Sequence, residues 1–194
     1  MKNKKTLVIW AAAFVVLIAG ATVLYGQLSR GAAPDQLEAA DEPQVTEEEG
    51  EAQEQEKLKA PDFSVYNASG ERVGLSDYFG KPIVLNFWAS WCGPCQMEMP
   101  DFEEVYRERS AEIHFMMVNV TGGRETLESA QEFIAEKGYS FPVFYDTESE
   151  AANTYAAYSI PTTYFIDSEG YLAARAVGAI DRESLERGLA MIAD

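Results

Sequence analysis

The stretch Ile83-Val84-Leu85-Asn86-Phe87-Trp88-Ala89-Ser90-Trp91-Cys92-Gly93-Pro94-Cys95 decides both fold and chemistry. Ile83–Ala89 is a near-continuous apolar run, the pattern of a strand buried on both faces. Residues 95–110 follow with Met99, Phe102, Val105 and Tyr106 at helical spacing. The two cysteines therefore fall where a buried strand gives way to a helix. Residues three apart in a helical turn have Cα atoms about 5–6 Å apart, the separation a disulfide prefers. Such a pair opens and closes with little backbone movement. Cys92 falls at the helix N-terminus, where unpaired N–H groups and the helix dipole favour a thiolate. The dipole contributes about 0.3–1 kcal/mol when exposed and up to about 2 when partly buried. At about 1.4 kcal/mol per pKa unit, that lowers a thiol by at most about 1.5 units. Cys95 lies one turn in and is more shielded, as a resolving thiol should be. Pro94 suits the first helical turn, where its missing N–H has no partner.

Three rival readings of the pair compete with redox cycling. A zinc site would need a second cysteine pair, and Cys92 and Cys95 are the only cysteines. A two-thiolate Cu(I) site is compatible with the pair, with Met97 and Met99 the only thioethers at obvious spacing. A static structural disulfide explains poorly why Gly-Pro stands inside a strand-to-helix turn. Redox cycling accounts for the placement of both sulfurs.

Outward from this stretch, strand and helix patterns alternate. Residues 113–120 form a second buried-strand run, and Gly122-Gly123 breaks the chain. Leu127, Ala130 and Ile134 mark a helix ending at Gly138. Residues 141–145 read as a short strand, 151–158 as a short helix, and 163–166 as a strand introduced by Pro161. Residues 172–177 pair with that strand through the turn Asp167-Ser168-Glu169-Gly170. Leu185, Leu189 and Ile192 mark a closing helix. Before all of these, residues 63–65 and 71–75 flank the turn Asn67-Ala68-Ser69-Gly70 and read as a hairpin. The order is a β-hairpin followed by βαβαβαββα, which predicts an α/β fold: a mixed central sheet with helices on both faces.

Composition narrows the function. The 194 residues carry 15 Lys plus Arg against 32 Asp plus Glu, a formal charge of −17. Such an excess argues against nucleic acid and anionic lipid surfaces as partners. One histidine, His114, excludes a site needing two imidazoles. It reads as an edge or surface residue far from the cysteine pair in sequence.

The charge divides the chain into three blocks. Residues 1–30 carry four basic groups and no acidic ones. Their apolar run from Thr6 to Tyr25 is long enough, at about 1.5 Å per residue, to cross a hydrocarbon core about 30 Å thick. Three lysines precede it, so the positive-inside rule leaves a cytoplasmic N-terminal stub and exports the rest. This is a transmembrane signal-anchor; the competing reading is a signal peptide cleaved near Ala19-Gly20-Ala21. Residues 31–59 are rich in Glu, Gln and Ala and read as an acidic flexible linker. Residues 60–194 form the folded domain.

That domain resembles the thioredoxin superfamily, and most closely the membrane-anchored ResA/TlpA-like thiol–disulfide oxidoreductases. The resemblance is carried in order by Ala60-Pro61-Asp62-Phe63, Leu75-Ser76-Asp77, Gly80-Lys81-Pro82 and the run from Val84 to Cys95. Glu98-Met99-Pro100, Phe141-Pro142-Val143 and Ile160-Pro161-Thr162-Thr163 continue it. It implies a thioredoxin fold with an added N-terminal hairpin. It also implies a cis Ile160–Pro161 bond facing the cysteine pair; without it, Pro161 reads as a plain strand-start proline. By the same resemblance Cys92 and Cys95 are catalytic, with Pro161 and Glu98 beside them. Trp91, Gly93, Pro94 and Ile160 meet the substrate, and the redox-active disulfide replaces any cofactor.

Two positions are read separately. Asn86 stands where cytosolic thioredoxins have a buried aspartate, and it cannot accept a proton, so it reads as a hydrogen-bonding core residue. Glu98, three residues after Cys95, either tunes thiol acidity and relays protons, as a glutamate does in ResA-like proteins, or lies on a solvated helix face or in a salt bridge. Pro100 predicts a kink. Trp91 is expected to cover the cysteine pair, and Trp88 to be core.

The expected reaction is reduction of disulfides in exported proteins, with apocytochrome c before haem attachment as the substrate the resemblance suggests. A membrane electron donor of CcdA-like or DsbD-like type is implied in the same way. The alternatives are a disulfide-forming oxidant and a non-catalytic Cu(I)-binding or protein-binding module. A peroxidase is disfavoured, because no Pro-x-x-x-Thr-x-x-Cys precedes either thiol.

Overall fold

Six consecutive buried residues, Ile83–Trp88, form a strand (β4) at the middle of the sheet. The computed structural model describes residues 37–39 and 57–193. Its other strands are β1 (Leu37–Ala39), β2 (Ser64–Asn67), β3 (Arg72–Gly74), β5 (His114–Asn119), β6 (Val143–Tyr145), β7 (Thr162–Ile166) and β8 (Leu172–Val177). The helices are α1 (Gly93–Arg109), α2 (Leu127–Lys137), α3 (Glu150–Thr154) and α4 (Arg182–Ile192). The strands build one eight-stranded sheet in the order β1-β8-β7-β4-β5-β6-β2-β3. β4, β5 and β6 run parallel, and every other pairing is antiparallel. This is the mixed α/β sheet expected from the sequence, with the hairpin β2–β3 added at its β6 edge.

Alternation along the strands divides the core in two. Val84 and Trp88 of β4, Phe115 and Met117 of β5, and Phe165 of β7 pack with Met99, Phe102 and Val105 of α1 and Leu185, Leu189 and Ile192 of α4. Ile83, Leu85 and Phe87, with Met116, Val118, Tyr164 and Ile166, face the other way onto Phe63, Leu75, Tyr155 and the α3 alanines. Every strand residue that points from one face thus has a neighbour pointing from the other. Asn86 shares the α1 face with Val84 and Trp88, which sets up the site below.

Several details differ from the sequence reading. α1 begins at Gly93, two residues before the apolar pattern that starts at Cys95, whereas Cys92 at its N-terminus and Pro100 inside it are as expected. α3 stops at Thr154, because Ala156 adopts a positive φ of 47° and the Ala157 N–H turns back to the Ala152 carbonyl. His114 opens β5, an interior strand rather than an edge. There it meets the Tyr78 ring edge-on at 5.4 Å, and burial together with Lys81 lowers its pKa.

The linker reading supplied no element between 31 and 59. The structure pairs Leu37–Ala39 with Ala174–Ala176 of β8, and the Leu58 carbonyl accepts from Leu172 N–H at 2.8 Å. An open sheet edge offers unpaired backbone groups, and these segments satisfy them. The remainder of the linker, 31–36 and 40–56, and the anchor expected at 1–30 lie outside the described residues. Among the described residues no helix is long and apolar enough to cross a membrane.

α4 approaches β7 so closely that a methyl group at Gly188 would lie 2.1 Å from Cζ of the fully buried Phe165. Overpacking of this kind costs about 1–3 kcal/mol, which outweighs the roughly 1 kcal/mol that alanine gains in helix propensity. Gly188→Ala is therefore expected to lower the midpoint of urea unfolding, and an unchanged midpoint would show that the α4–β7 contact is loose.

Candidate active site

The buried strand β4 delivers Ser90-Trp91 to the start of α1. Cys92 is the N-cap, with extended backbone at φ −82° and ψ 106°, and its Sγ accepts the Cys95 N–H at 3.2 Å. The two cysteines form a disulfide with Cα atoms 5.3 Å apart. Cys92 keeps 5% of its surface exposed and Cys95 none, while Gly93 and Pro94 between them are exposed. The outer sulfur is thus the one nearer to solvent, and its thiolate would stand among unpaired N–H groups of the first turn.

A second element closes over the pair. The Ile160–Pro161 bond is cis, and the Ile160 carbonyl oxygen lies 3.7 Å from Cys92 Sγ. Pro161 is buried and Ile160 half-buried. The Pro161 carbonyl accepts from Gly178 N–H at 2.9 Å, which ties this turn to the end of β8. Trp91 is 45% exposed at the rim, and Trp88 is fully buried against Phe133.

Beneath the cysteines lies a polar cluster in an otherwise apolar core. Glu98, one turn after Cys95 on α1, is 2% exposed. Its Oε1 accepts from Asn86 Nδ2 at 2.8 Å and its Oε2 from Ile180 N–H at 3.1 Å. Asn86 Nδ2 also donates to Thr163 Oγ1 at 2.9 Å, just past the cis-proline turn. Burial pushes the Glu98 carboxyl up to about 8, against the pull of the hydrogen bonds from Ile180 and Asn86. At pH 7 it is therefore held mainly as the neutral acid. The solvated-face and salt-bridge readings of Glu98 are corrected by this placement: among the described residues no cation bonds it, and its partners are an amide side chain and a backbone N–H.

Of the residues expected to matter, Cys92, Cys95, Ile160 and Pro161 come together directly, and Asn86 and Glu98 lie beneath them. Met97 is 70% exposed and Met99 fully buried, so these two thioethers do not share a face of α1. Sequence reasoning missed a brace behind the pair. The buried Glu125 accepts from Ser90 N–H at 3.1 Å, Ser90 Oγ at 2.9 Å and Asn119 Nδ2 at 2.9 Å. The one signal for it was an acidic residue after Gly122-Gly123, at the end of a buried strand. Thr163 and the Ile180 amide were likewise unassigned.

Residues 57–175 match the AhpC/TSA family. The chain belongs to the AhpC/TSA family. Among its relatives, the thiol–disulfide oxidoreductase ResA of Geobacillus kaustophilus is 38% identical over 136 residues, which cover 69% of this chain and 75% of that one. A Chlorobium tepidum structure named as thiol:disulfide interchange protein DsbE superposes with a TM-score of 0.64 at 32% identity, over 71% of this chain and 97% of that one. The exposed lipoprotein thioredoxin of Streptococcus pneumoniae does so with a TM-score of 0.60 at 30% identity, over 67% and 98%. The fold is thioredoxin-like, and the chain is a thiol–disulfide oxidoreductase of ResA/DsbE type.

The raised Glu98 pKa has a signed consequence. In the folded protein Glu98 holds its proton to about pH 8, whereas in the unfolded chain it releases it near the ordinary carboxyl value of 4.5. The stability this gives is complete below about pH 4.5 and is lost as pH rises through about 8. Wild type minus Glu98→Gln, compared by urea unfolding from pH 4 to 9, should therefore show a falling difference. A flat difference would mean that Glu98 is ionised throughout.

Proposed function

We propose that this protein is an extracytoplasmic reductase of disulfides in exported proteins, tethered by residues 1–30 through the acidic segment 31–59. One observation carries the reading: a Cys92–Cys95 disulfide whose outer sulfur caps a helix and lies 3.7 Å from the carbonyl before a cis-proline. A reactive sulfur and a backbone acceptor side by side suit an extended substrate segment that must bring its own sulfur in line.

In the reduced protein the Cys92 thiolate attacks one sulfur of the substrate disulfide, and the other leaves as a thiolate that takes up a proton. The mixed disulfide so formed is resolved by Cys95. Its thiol gives up a proton, its sulfur attacks Cys92 Sγ, and the second substrate sulfur departs and is protonated. Two electrons pass to the substrate, and Cys92–Cys95 ends oxidised. The ionised fraction of Glu98, buried one turn below Cys95 and titrating near neutral pH, accepts the Cys95 proton during this step and later releases it. Asn86 and the Ile180 amide orient its carboxyl. Trp91, Gly93, Pro94 and Ile160 form the rim that meets the substrate, and Pro161 shapes it.

The cycle needs a dithiol donor to reopen the disulfide. For a domain outside the cytoplasm, a membrane protein of CcdA-like or DsbD-like type fits that chemistry. The lysine-led apolar run 6–25 supports the export and anchoring, as do the ResA relative and the streptococcal relative named as an exposed lipoprotein. Apocytochrome c, with its two thiols kept free for haem attachment, is the proposed substrate.

Two measurements test this. The Cys92–Cys95 couple is expected to equilibrate at about −250 mV or lower; a value near −120 mV would make the protein an oxidant. A full-length Cys95→Ala variant should trap partners as mixed disulfides through Cys92, with apocytochrome c among them. Trapping only by Cys92→Ala would reverse the two roles.

A further inference from the structure

Two consecutive residues hold the two residues that precede Cys92. Glu125 bonds Ser90 through both its backbone and its hydroxyl, and the Arg124 guanidinium carbon lies 4.4 Å from the centre of the Trp91 ring. Their loop is closed on itself by paired Gly122 and Glu125 backbone hydrogen bonds of 2.9 Å. Gly122 and Gly123 take φ values of 147° and 58°, which side chains rarely adopt. Glu125, buried and bonded also to Asn119, anchors the loop to the end of β5. Arg124 is thereby aimed at the residue next to the reactive sulfur.

Among the described residues its charge is not spent elsewhere. Arg72, Arg107, Arg109 and Arg182 all pair with carboxylates. Among the described residues Arg124 forms no ion pair, and its contact is the Trp91 face. In a chain of net charge −17, an exposed cation kept off the carboxylates of the described residues and laid on the side chain that precedes Cys92 asks for a local role.

We propose that Arg124 is a positioning residue for thiol exchange: stacked on Trp91, it orders the segment entering Cys92 and places there a positive charge that favours the Cys92 thiolate. The inference rests on Cys92 being the attacking thiol. Other charges bear on the same sulfur. Glu125 lies behind Ser90, Glu98 lies beneath Cys95, and Tyr158 is the nearest ionisable residue in sequence on the cis-proline side. None of them changes in the variants below.

The test uses the full chain carrying Cys95→Ala, so that one thiol titrates, and follows thiolate absorbance and iodoacetamide alkylation against pH. Arg124→Gln should raise the Cys92 pKa by about half a unit and slow alkylation about threefold at pH 6. Arg124→Lys, which keeps a cation that can stack on Trp91, should stay close to the parent. Raising salt to 1 M should move the parent toward Arg124→Gln and move that variant less, since an exposed charge is screened. Identical pKa values in all three proteins would overturn the inference and leave Cys92 as nucleophile intact. Equal increases in the Gln and Lys variants would also overturn it, because charge would not be the agent. A parent thiol titrating at the ordinary value of about 8.5 would instead remove the reading of Cys92 on which it rests.

Discussion

The handover from β4 to α1 is the constraint on which the rest depends. A strand buried on both faces ends at Trp88, and within five residues the chain is helical. The turn between them must leave the first N–H groups of a helix without backbone partners, and a sulfur takes one of them: Cys92 Sγ accepts the Cys95 N–H. That single bond places both thiols on one turn, fixes their order from solvent inward, and favours negative charge on the outer one. The sheet around β4 makes the turn rigid by hydrogen-bonding the strand on both sides, to β5 and β7.

The polar groups under this turn are costly and informative. Burying Glu98 and Asn86 on the α1 face forgoes apolar packing, and among the described residues neither Asn86 Oδ1 nor Trp88 Nε1 has a hydrogen-bond partner. An unmet buried polar atom costs about 1–3 kcal/mol. A core chosen for stability alone would put an aliphatic residue at 86. The cluster instead links three elements that a redox cycle must coordinate: α1 through Glu98, the cis-proline strand through Thr163, and the start of α4 through Ile180. It gives a buried carboxyl that gains and loses its proton near neutrality, one turn below the inner thiol.

Much of this was legible in the sequence, for identifiable reasons. Unbroken apolar runs marked β4 and β5, because interior strands of a covered sheet have no solvent face to alternate with. Gly138, left-handed at φ 68°, ended α2 where its position suggested. The cysteine spacing located the site. Burial of charged residues was not legible. Glu98 and Glu125 look in sequence like any acid on a helix or loop, and only the folded sheet shows that one faces Asn86 and the other Ser90. The pairing of Leu37–Ala39 with β8 was hidden for another reason: a three-residue segment of weak pattern joins an edge that offers open backbone groups. The placement of His114 depended on strand order, which no local pattern encodes.

The central claim is that the helix-capping sulfur attacks and the inner one resolves. Brief iodoacetamide treatment of the fully reduced chain at pH 7, followed by peptide mass mapping, tests it most directly. The account predicts label on Cys92 with Cys95 unmodified. Label on Cys95 first, or on neither sulfur, would contradict it.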